Sequence, residues 1–263
     1  MTEPVVASLD ARGVASVTLN RPEVGNAYNG AMIEGLLRAL DQVTGRSDVR
    51  AVVLKGNGKH FQAGADLKWI REVSGASAAE NERVSRATAE AVDRLNRLPV
   101  PAVALVQGGC FGGGTGMVAA CDVVIAADNA VFSIAEVRWG LTAAIIIPQL
   151  SDAISARQLR RYALTCERFD AEEARRIGLV HQVVPLDGLA AAGEAMVARL
   201  LENGPQAMAE TKACILDSAW GSFDRATFDA LSAGHAAKRR SAEAAEGLAS
   251  FAEKRAANWS GRA

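Results

Sequence analysis

Residues 102–120 read AVALVQGGCFGGGTGMVAA, and they place a glycine-rich turn between two segments of different character. The first five residues form a β-prone apolar run typical of a buried strand, and the small residues that end the segment predict a helix. No Lys-Ser or Lys-Thr pair follows, which excludes a P-loop, and Met117 stands where a dinucleotide-binding fingerprint needs its third glycine. The turn either packs closely on a neighbouring segment or offers backbone N–H groups to an anion or a developing oxyanion.

The alternation of strands and helices continues on both sides of this turn. Before it we predict strands at residues 5–6, 14–19 and 51–54 and helices at residues 29–43 and 78–98, and after it a strand at residues 122–126. Pro99 and Pro101 end the longer helix. This order predicts an α/β fold in which most strands pair in parallel.

The pattern changes after Pro185. Only helical periodicity remains, over residues 189–201, 206–218, 223–235 and 242–257. We therefore predict two regions: an α/β core over residues 1–185, and a helical region over residues 186–263 that serves as a subdomain or an oligomerisation element.

The composition limits the class of protein. The 263 residues are 49% hydrophobic and carry a formal net charge of -1, which indicates a folded globular chain and excludes a strongly basic nucleic-acid-binding protein. Four cysteines without a C-x-x-C pair predict neither a disulfide scaffold nor a zinc site. The first residues do not resemble a secretory signal, and the longest apolar stretch, residues 141–147, is too short to span a bilayer. We expect a soluble, cytoplasmic protein without nucleic-acid or membrane partners.

A second turn between a strand and a helix lies at residues 60–67, which read HFQAGADL. Asp66 is either a helix N-cap or part of a binding site, and His60 is interpreted as a structural histidine. Lys68 is either a solvated helix residue or a ligand contact.

Taken in order, these segments resemble the enoyl-CoA hydratase/isomerase, or crotonase, family over nearly the whole chain. The motifs that carry the resemblance are Leu19-Asn20-Arg21-Pro22 with Asn26-Ala27, Phe61-Gln62-Ala63-Gly64-Ala65-Asp66-Leu67, the glycine cluster, Ala119-Ala120-Cys121-Asp122, Glu136 with Gly140-Leu141, Leu164-Thr165, Ala171 with Gly178-Leu179-Val180, and Phe251-Ala252-Glu253-Lys254-Arg255.

The resemblance implies a spiral of strand-strand-helix units, followed by C-terminal helices that build homotrimers, which often pair into hexamers. It implies acyl-CoA thioester substrates, with coenzyme A as part of the substrate and no separate cofactor. The N–H groups of Ala65 and Gly113 would bind the thioester oxygen. Enolate charge develops there when a proton leaves the α-carbon, and donors placed in advance lower that barrier.

The resemblance also assigns the acid/base role to Glu136. Hydratases of the family pair two glutamates, but the first position is Gly116 in this chain, and a water molecule, Lys68 or Thr142 are the alternatives for its replacement. Ala144 stands where dienoyl isomerases and aromatic dehalogenases of the family carry an aspartate, which disfavours those activities.

The remaining expectations concern coenzyme A and the reaction. The resemblance places coenzyme A near Ala63, Asp66, Leu67 and Lys68, with Phe251 and Lys254 of an adjacent subunit closing over it. The leading interpretation is an enoyl-CoA hydratase. Residues 142–148 form an apolar run that resembles family members acting on branched or glutaconyl-type acyl groups, and this resemblance implies such a substrate. The alternatives are a Δ3,Δ2-enoyl-CoA isomerase that uses one glutamate, a decarboxylase or dehydratase, and a non-catalytic acyl-CoA-binding protein. We expect no metal.

Overall fold

The computed structural model describes residues 3–220 and 242–259. Its larger sheet begins with β1 (Val5–Leu9) and β2 (Val14–Leu19), which pair antiparallel. Gly13, in the turn between them, has a φ of +84°, a conformation that favours glycine. The sheet continues in parallel, and its further strands are β3 (Ala51–Gly56), β4 (Ala102–Val106), β6 (Val123–Ala127) and β9 (Gln182–Val184).

A smaller sheet lies beside the glycine cluster. It consists of β5 (Gly109–Phe111), β7 (Val131–Ser133) and β8 (Phe169–Asp170), with β7 in the middle. β5 and β7 pair in parallel, so the first residues of the glycine cluster are held as a strand before the chain turns.

The described helices surround these sheets. They are α1 (Gly30–Thr44), α2 (Leu67–Ser74), α3 (Ala78–Asn96), α4 (Gly113–Ala119), α5 (Ile147–Thr165), α6 (Ala171–Ile177), α7 (Leu189–Leu201), α8 (Pro205–Trp220) and α9 (Ala242–Glu253). Asn29, Asp66 and Ser77 are the N-caps of α1, α2 and α3, where their side chains accept backbone N–H groups of the first turn.

The central strands are buried on both faces because each face packs against helices. Val52 and Leu54 of β3 belong to the main core, whereas Val53 between them belongs to a second core with Val103 and Ile125. α7 covers this second face, and Leu189 and Val197 are its buried residues there. Helix α7, the first α-helix after Pro185, therefore packs directly on the larger sheet.

The α/β class is confirmed, and β2, β4 and α7 have the bounds that the sequence predicts. The division at residues 185 and 186 stays a prediction. The helix predicted at residues 223–235 lies outside the described residues. Within the described ranges, no helix combines the length and the hydropathy needed to cross a membrane.

Candidate active site

Tyr28 holds the first turn of the candidate site through its backbone. Its N–H donates to the carbonyl of Gly64, and its carbonyl accepts from the N–H of Asp66, each at 2.9 Å. In a parallel bridge of this kind the residue in between, Ala65, directs its own N–H to the opposite edge. Within residues 3–220 and 242–259 this N–H has no acceptor. It is therefore free to bind a ligand.

The second turn ends at Gly112, where φ is +52° and a side chain would be strained. Its N–H donates to the carbonyl of Ser133 at 2.8 Å, and its carbonyl accepts from the N–H of Thr115 at 2.8 Å. Gly113 is the first residue of α4, so its N–H has no partner within that helix and none elsewhere in the described chain.

Backbone pairing brings the two turns together. The N–H of Gln62 donates to the carbonyl of Gly109 at 3.1 Å, and the carbonyl of Gln62 accepts from the N–H of Phe111 at 2.9 Å. The strand segments that lead to Ala65 and Gly113 thus lie side by side. That their N–H groups act together in one site stays a prediction.

Glu136 lies directly against the second turn. It begins a short 3-10 helix, Glu136–Trp139, shortly after β7, and a Cβ at Gly112 would stand 3.0 Å from its Oε1 atom. Its Oε2 atom is buried without a hydrogen-bond partner among the described residues. Burial raises the pKa of Glu136 above 4.5, and nearby backbone N–H groups only partly oppose this. A raised pKa suits a group that both accepts and returns a proton near neutral pH.

A cavity of about 290 Å³ extends from Gly113 and Glu136 between the surrounding helices. Its wall is mainly apolar and is formed by Met32, Ile33, Leu36, Trp69, Ile70, Val73, Val84, Ala91, Val92, Met117, Leu141, Ile145 and Ile146. A wider groove of about 800 Å³ lies elsewhere, between Arg12, Arg46 and Trp259, and contains neither turn. The smaller cavity therefore combines the free N–H group of Gly113, the Glu136 carboxylate and an apolar chamber.

Comparison with known proteins identifies the family to which the chain belongs. The family model for enoyl-CoA hydratase/isomerase matches residues 10–262. The chain belongs to the enoyl-CoA hydratase/isomerase family. Its fold is therefore the crotonase-like spiral that the sequence motifs imply. Members of this family act on acyl-CoA thioesters, so the chain is an enzyme of the lyase or isomerase kind.

Individual relatives are similar over most of the chain. A crystal structure of an enoyl-CoA hydratase from Shewanella pealeana superposes with a TM-score of 0.93 at 36% identity, covering 97% of this chain and 96% of that one. Hydroxycinnamoyl-CoA hydratase-lyase from Pseudomonas fluorescens is 32% identical, and the match covers 76% of this chain and 74% of that protein. The human mitochondrial Δ(3,5)-Δ(2,4)-dienoyl-CoA isomerase is also 32% identical, covering 78% of this chain and 66% of its own. These names include both reaction kinds.

The residues predicted to contact coenzyme A are only partly brought together. Ala63, Asp66, Leu67 and Lys68 share the first turn and the start of α2, where Leu67 is exposed despite being apolar. The carboxylate of Asp66 is already engaged, because it caps α2 and pairs with Arg21 at 3.2 Å.

The two predicted C-terminal contacts lie at the end of α9. Lys254 is exposed just after the helix, whereas the side chain of Phe251 lies outside the described part of the protein. His60 is structural, since its Nδ1 atom accepts the N–H of Gly109 at 2.8 Å.

The place of the missing second glutamate is filled by an apolar side chain. A Cβ at Gly116 would stand 2.6 Å from the Cβ of Ile146 and closer still to its Cγ2. Ile146 is 1% exposed and cannot move aside into solvent. Hydrocarbon packing therefore fills the space beside Gly116.

We expect Gly116→Ala to lower the free energy of unfolding by about 1–3 kcal/mol, because the new methyl group overlaps Ile146. Chemical denaturation measures the change. In an Ile146→Ala background the same Gly116→Ala substitution should cost much less, because the overlapping side chain is absent. Gly30→Ala is the matched control, since its Cβ would meet nothing nearer than 3.6 Å. Equal stability of Gly116→Ala and wild type would contradict the packing.

The individual roles of two residues of this site are not predicted from the sequence. Tyr28 directly follows the Asn26-Ala27 motif and is one of only two tyrosines in the chain, which is the signal that could have identified it. Ile146 belongs to an apolar run, and only its tertiary contact with Gly116 shows that it fills the space beside that residue.

Proposed function

We propose that this protein is an enoyl-CoA hydratase, which reversibly adds water across the 2,3 double bond of an enoyl-CoA thioester. The observation that supports this is the half-buried Glu136 carboxylate, which lies against Gly112 and lines the same cavity as Gly113. Its unpartnered Oε2 atom can bind a water molecule. A carboxylate in this position can both take a proton from that water and supply one to the α-carbon.

Ala65 and Gly113 would stabilise the charge that forms in this reaction. Their free N–H groups would donate to the thioester oxygen, where negative charge develops as the enolate forms. Only small residues let a thioester come so close to the backbone. Each such donor typically contributes about 10²–10³ in rate.

A single carboxylate is enough for all proton transfers of the proposed hydration. The oxygen of water bonds to the β-carbon, one water proton passes to Glu136, and the π electrons move to the thioester oxygen. The enolate then collapses and takes the proton from Glu136 at the α-carbon. Glu136 ends as the carboxylate with which it began, so no second acid or base is consumed.

The cavity favours an uncharged acyl group. Its lining, as far as the structure describes it, contains no Lys, Arg or His side chain. The free carboxylate of a glutaconyl-type group would be desolvated there without a counter-charge, which is costly. We therefore propose an apolar acyl chain, branched rather than carboxylated.

One observation favours a second candidate, a Δ3,Δ2-enoyl-CoA isomerase. Ile146 occupies the space that a second carboxylate would need, and an isomerase moves a proton between the α- and γ-carbons with a single acid/base. A non-catalytic acyl-CoA-binding protein is disfavoured, because burying the Glu136 carboxylate without a partner costs free energy that binding alone does not require.

The proposed assembly follows from the family resemblance. We place coenzyme A along Ala63, Leu67 and Lys68, whose ammonium group is exposed and suited to a phosphate. Phe251 and Lys254 of an adjacent subunit would complete this site in a cytoplasmic homotrimer or dimer of trimers. No cofactor beyond the coenzyme A of the substrate is proposed. Residues 3–220 and 242–259 contain no cluster of three metal-ligating side chains.

Product analysis in heavy water tests the proposed reaction. With 3-methylbut-2-enoyl-CoA we expect a 3-hydroxyacyl ester that carries one solvent deuterium at the α-carbon. We expect kcat/KM at least about tenfold lower for 3-methylglutaconyl-CoA, since its free carboxylate would enter the cavity without a counter-charge. Interconversion of 2-enoyl and 3-enoyl esters without added oxygen would instead support the isomerase. Binding without either product would contradict both enzymes.

A further inference from the structure

Tyr28 connects the two turns of the site. Its backbone binds Gly64 and Asp66 of the first turn, and its ring lies against the second, where a Cβ at Gly113 would stand 2.9 Å from the Cε1 atom. On another side the ring meets Trp69 edge to face, with the centroids 5.8 Å apart. The ring is thus fixed directly beside the proposed position of the thioester.

Several polar side chains of the cavity wall already have partners, whereas the Tyr28 hydroxyl and Oε2 of Glu136 have none in the described chain. Ser74 and Thr88 each donate a hydroxyl to a carbonyl of their own helix at 2.8 Å, and Asn81 donates its amide to Val73. Ser85 and Thr142 are exposed and can bond to solvent. In the described part of the protein, the hydroxyl of the half-buried Tyr28 side chain bonds to no other residue, and Oε2 of Glu136 is buried without a partner.

We propose that the Tyr28 hydroxyl and the Glu136 carboxylate hold the reacting water between them, so that a phenol takes the place of the missing second carboxylate. This inference rests on the proposed hydratase function. It gives both unpartnered groups a hydrogen bond, and it explains how a water is oriented although Ile146 fills the space at Gly116. A buried oxygen such as Oε2 of Glu136 is normally satisfied by protein or by ordered water.

Tyr28 contributes position and no net proton. One water O–H donates to Glu136 and is transferred to it as the oxygen attacks the β-carbon, and the other O–H donates to the phenol oxygen of Tyr28. Tyr28 keeps its own proton throughout. Burial, with the Glu136 charge as a smaller cause, raises the pKa of Tyr28 to about 12, so the phenol is neutral at pH 7.

The test compares two rates in Tyr28→Phe. One is hydration of 3-methylbut-2-enoyl-CoA, and the other is exchange of the α-protons of a saturated acyl-CoA with heavy water. Exchange needs Glu136 and the N–H groups but no water at the β-carbon. We expect the ratio of hydration to exchange to fall about 10- to 100-fold, as for the loss of a hydrogen bond that acts on a reacting, charge-developing group.

Tyr162→Phe is the matched control, because it removes the other tyrosine hydroxyl, which bonds to Glu173 outside the cavity. Its ratio should equal that of wild type. If the ratio of hydration to exchange in Tyr28→Phe equals that of wild type, the inference is overturned, whether or not both rates fall together. The hydratase function would still stand. A wild type that exchanges α-protons but hydrates no enoyl ester would overturn the proposed function itself.

Discussion

Glu136→Gln is expected to lower turnover by about 10²–10⁴-fold while the affinity for enoyl-CoA changes little. The amide has nearly the size of the carboxyl group and can still hydrogen-bond, but it cannot accept and return the proton. Steady-state kinetics, together with equilibrium binding of the substrate, separates the two effects.

Stability provides the internal control for this variant. The pKa of Glu136 is raised in the fold, so stability falls as pH rises from the ordinary glutamate value through the raised one. At a pH above the raised pKa, desolvation of the charged carboxylate lowers the free energy of unfolding of the wild type. The neutral amide has no such cost. We therefore expect Glu136→Gln to unfold at neutral pH with a free energy equal to or above that of wild type. Exposed Glu90→Gln should change neither property, and full activity in Glu136→Gln would remove the acid/base assignment.

Gly113→Val is expected to cost at least the 10²–10³ in rate that is typical of one oxyanion donor. Its Cβ would stand 2.9 Å from the ring of Tyr28, and the branched side chain would lie where the thioester must approach the N–H. Turnover of the folded variant, with circular dichroism as the check on folding, measures the loss.

Gly188→Val is the comparison for this substitution, because a Cβ at Gly188 would meet nothing nearer than 3.9 Å. It should retain near-normal turnover. Near-normal turnover in a folded Gly113→Val protein would show that the glycine cluster is only a packing turn.

The fold was largely predictable where local signals are strong. β4 and α7 have the predicted bounds because each is an apolar segment with clear punctuation, by Pro101 before β4 and by Gly188 before α7. β5 is not predicted from the sequence, since glycine has low strand propensity. It forms because β7 pairs with it along its length. α5 was also hidden, because Ser155 has a φ of +62° and interrupts the helical periodicity.

The candidate site was predictable only in part. Ala65, Gly113 and Glu136 were assigned through motifs that resemble a family, and the structure brings Gly113 and Glu136 to one cavity. The roles inferred for Ile146 and Tyr28 depend on contacts between segments about 30 and 85 residues apart. No local pattern records such contacts, because they arise only when the helices pack on the sheets.

We propose that the thioester binds at Ala65 and Gly113 with its α-carbon facing Glu136. A crystal structure of Glu136→Gln with bound 3-methylbut-2-enoyl-CoA tests it most directly, since this variant should bind the ester without consuming it. We predict a thioester oxygen about 2.7–3.1 Å from both backbone nitrogens, with the acyl chain in the apolar cavity. An ester bound in the groove beside Arg12 and Trp259, or a thioester oxygen turned away from both N–H groups, would contradict the account.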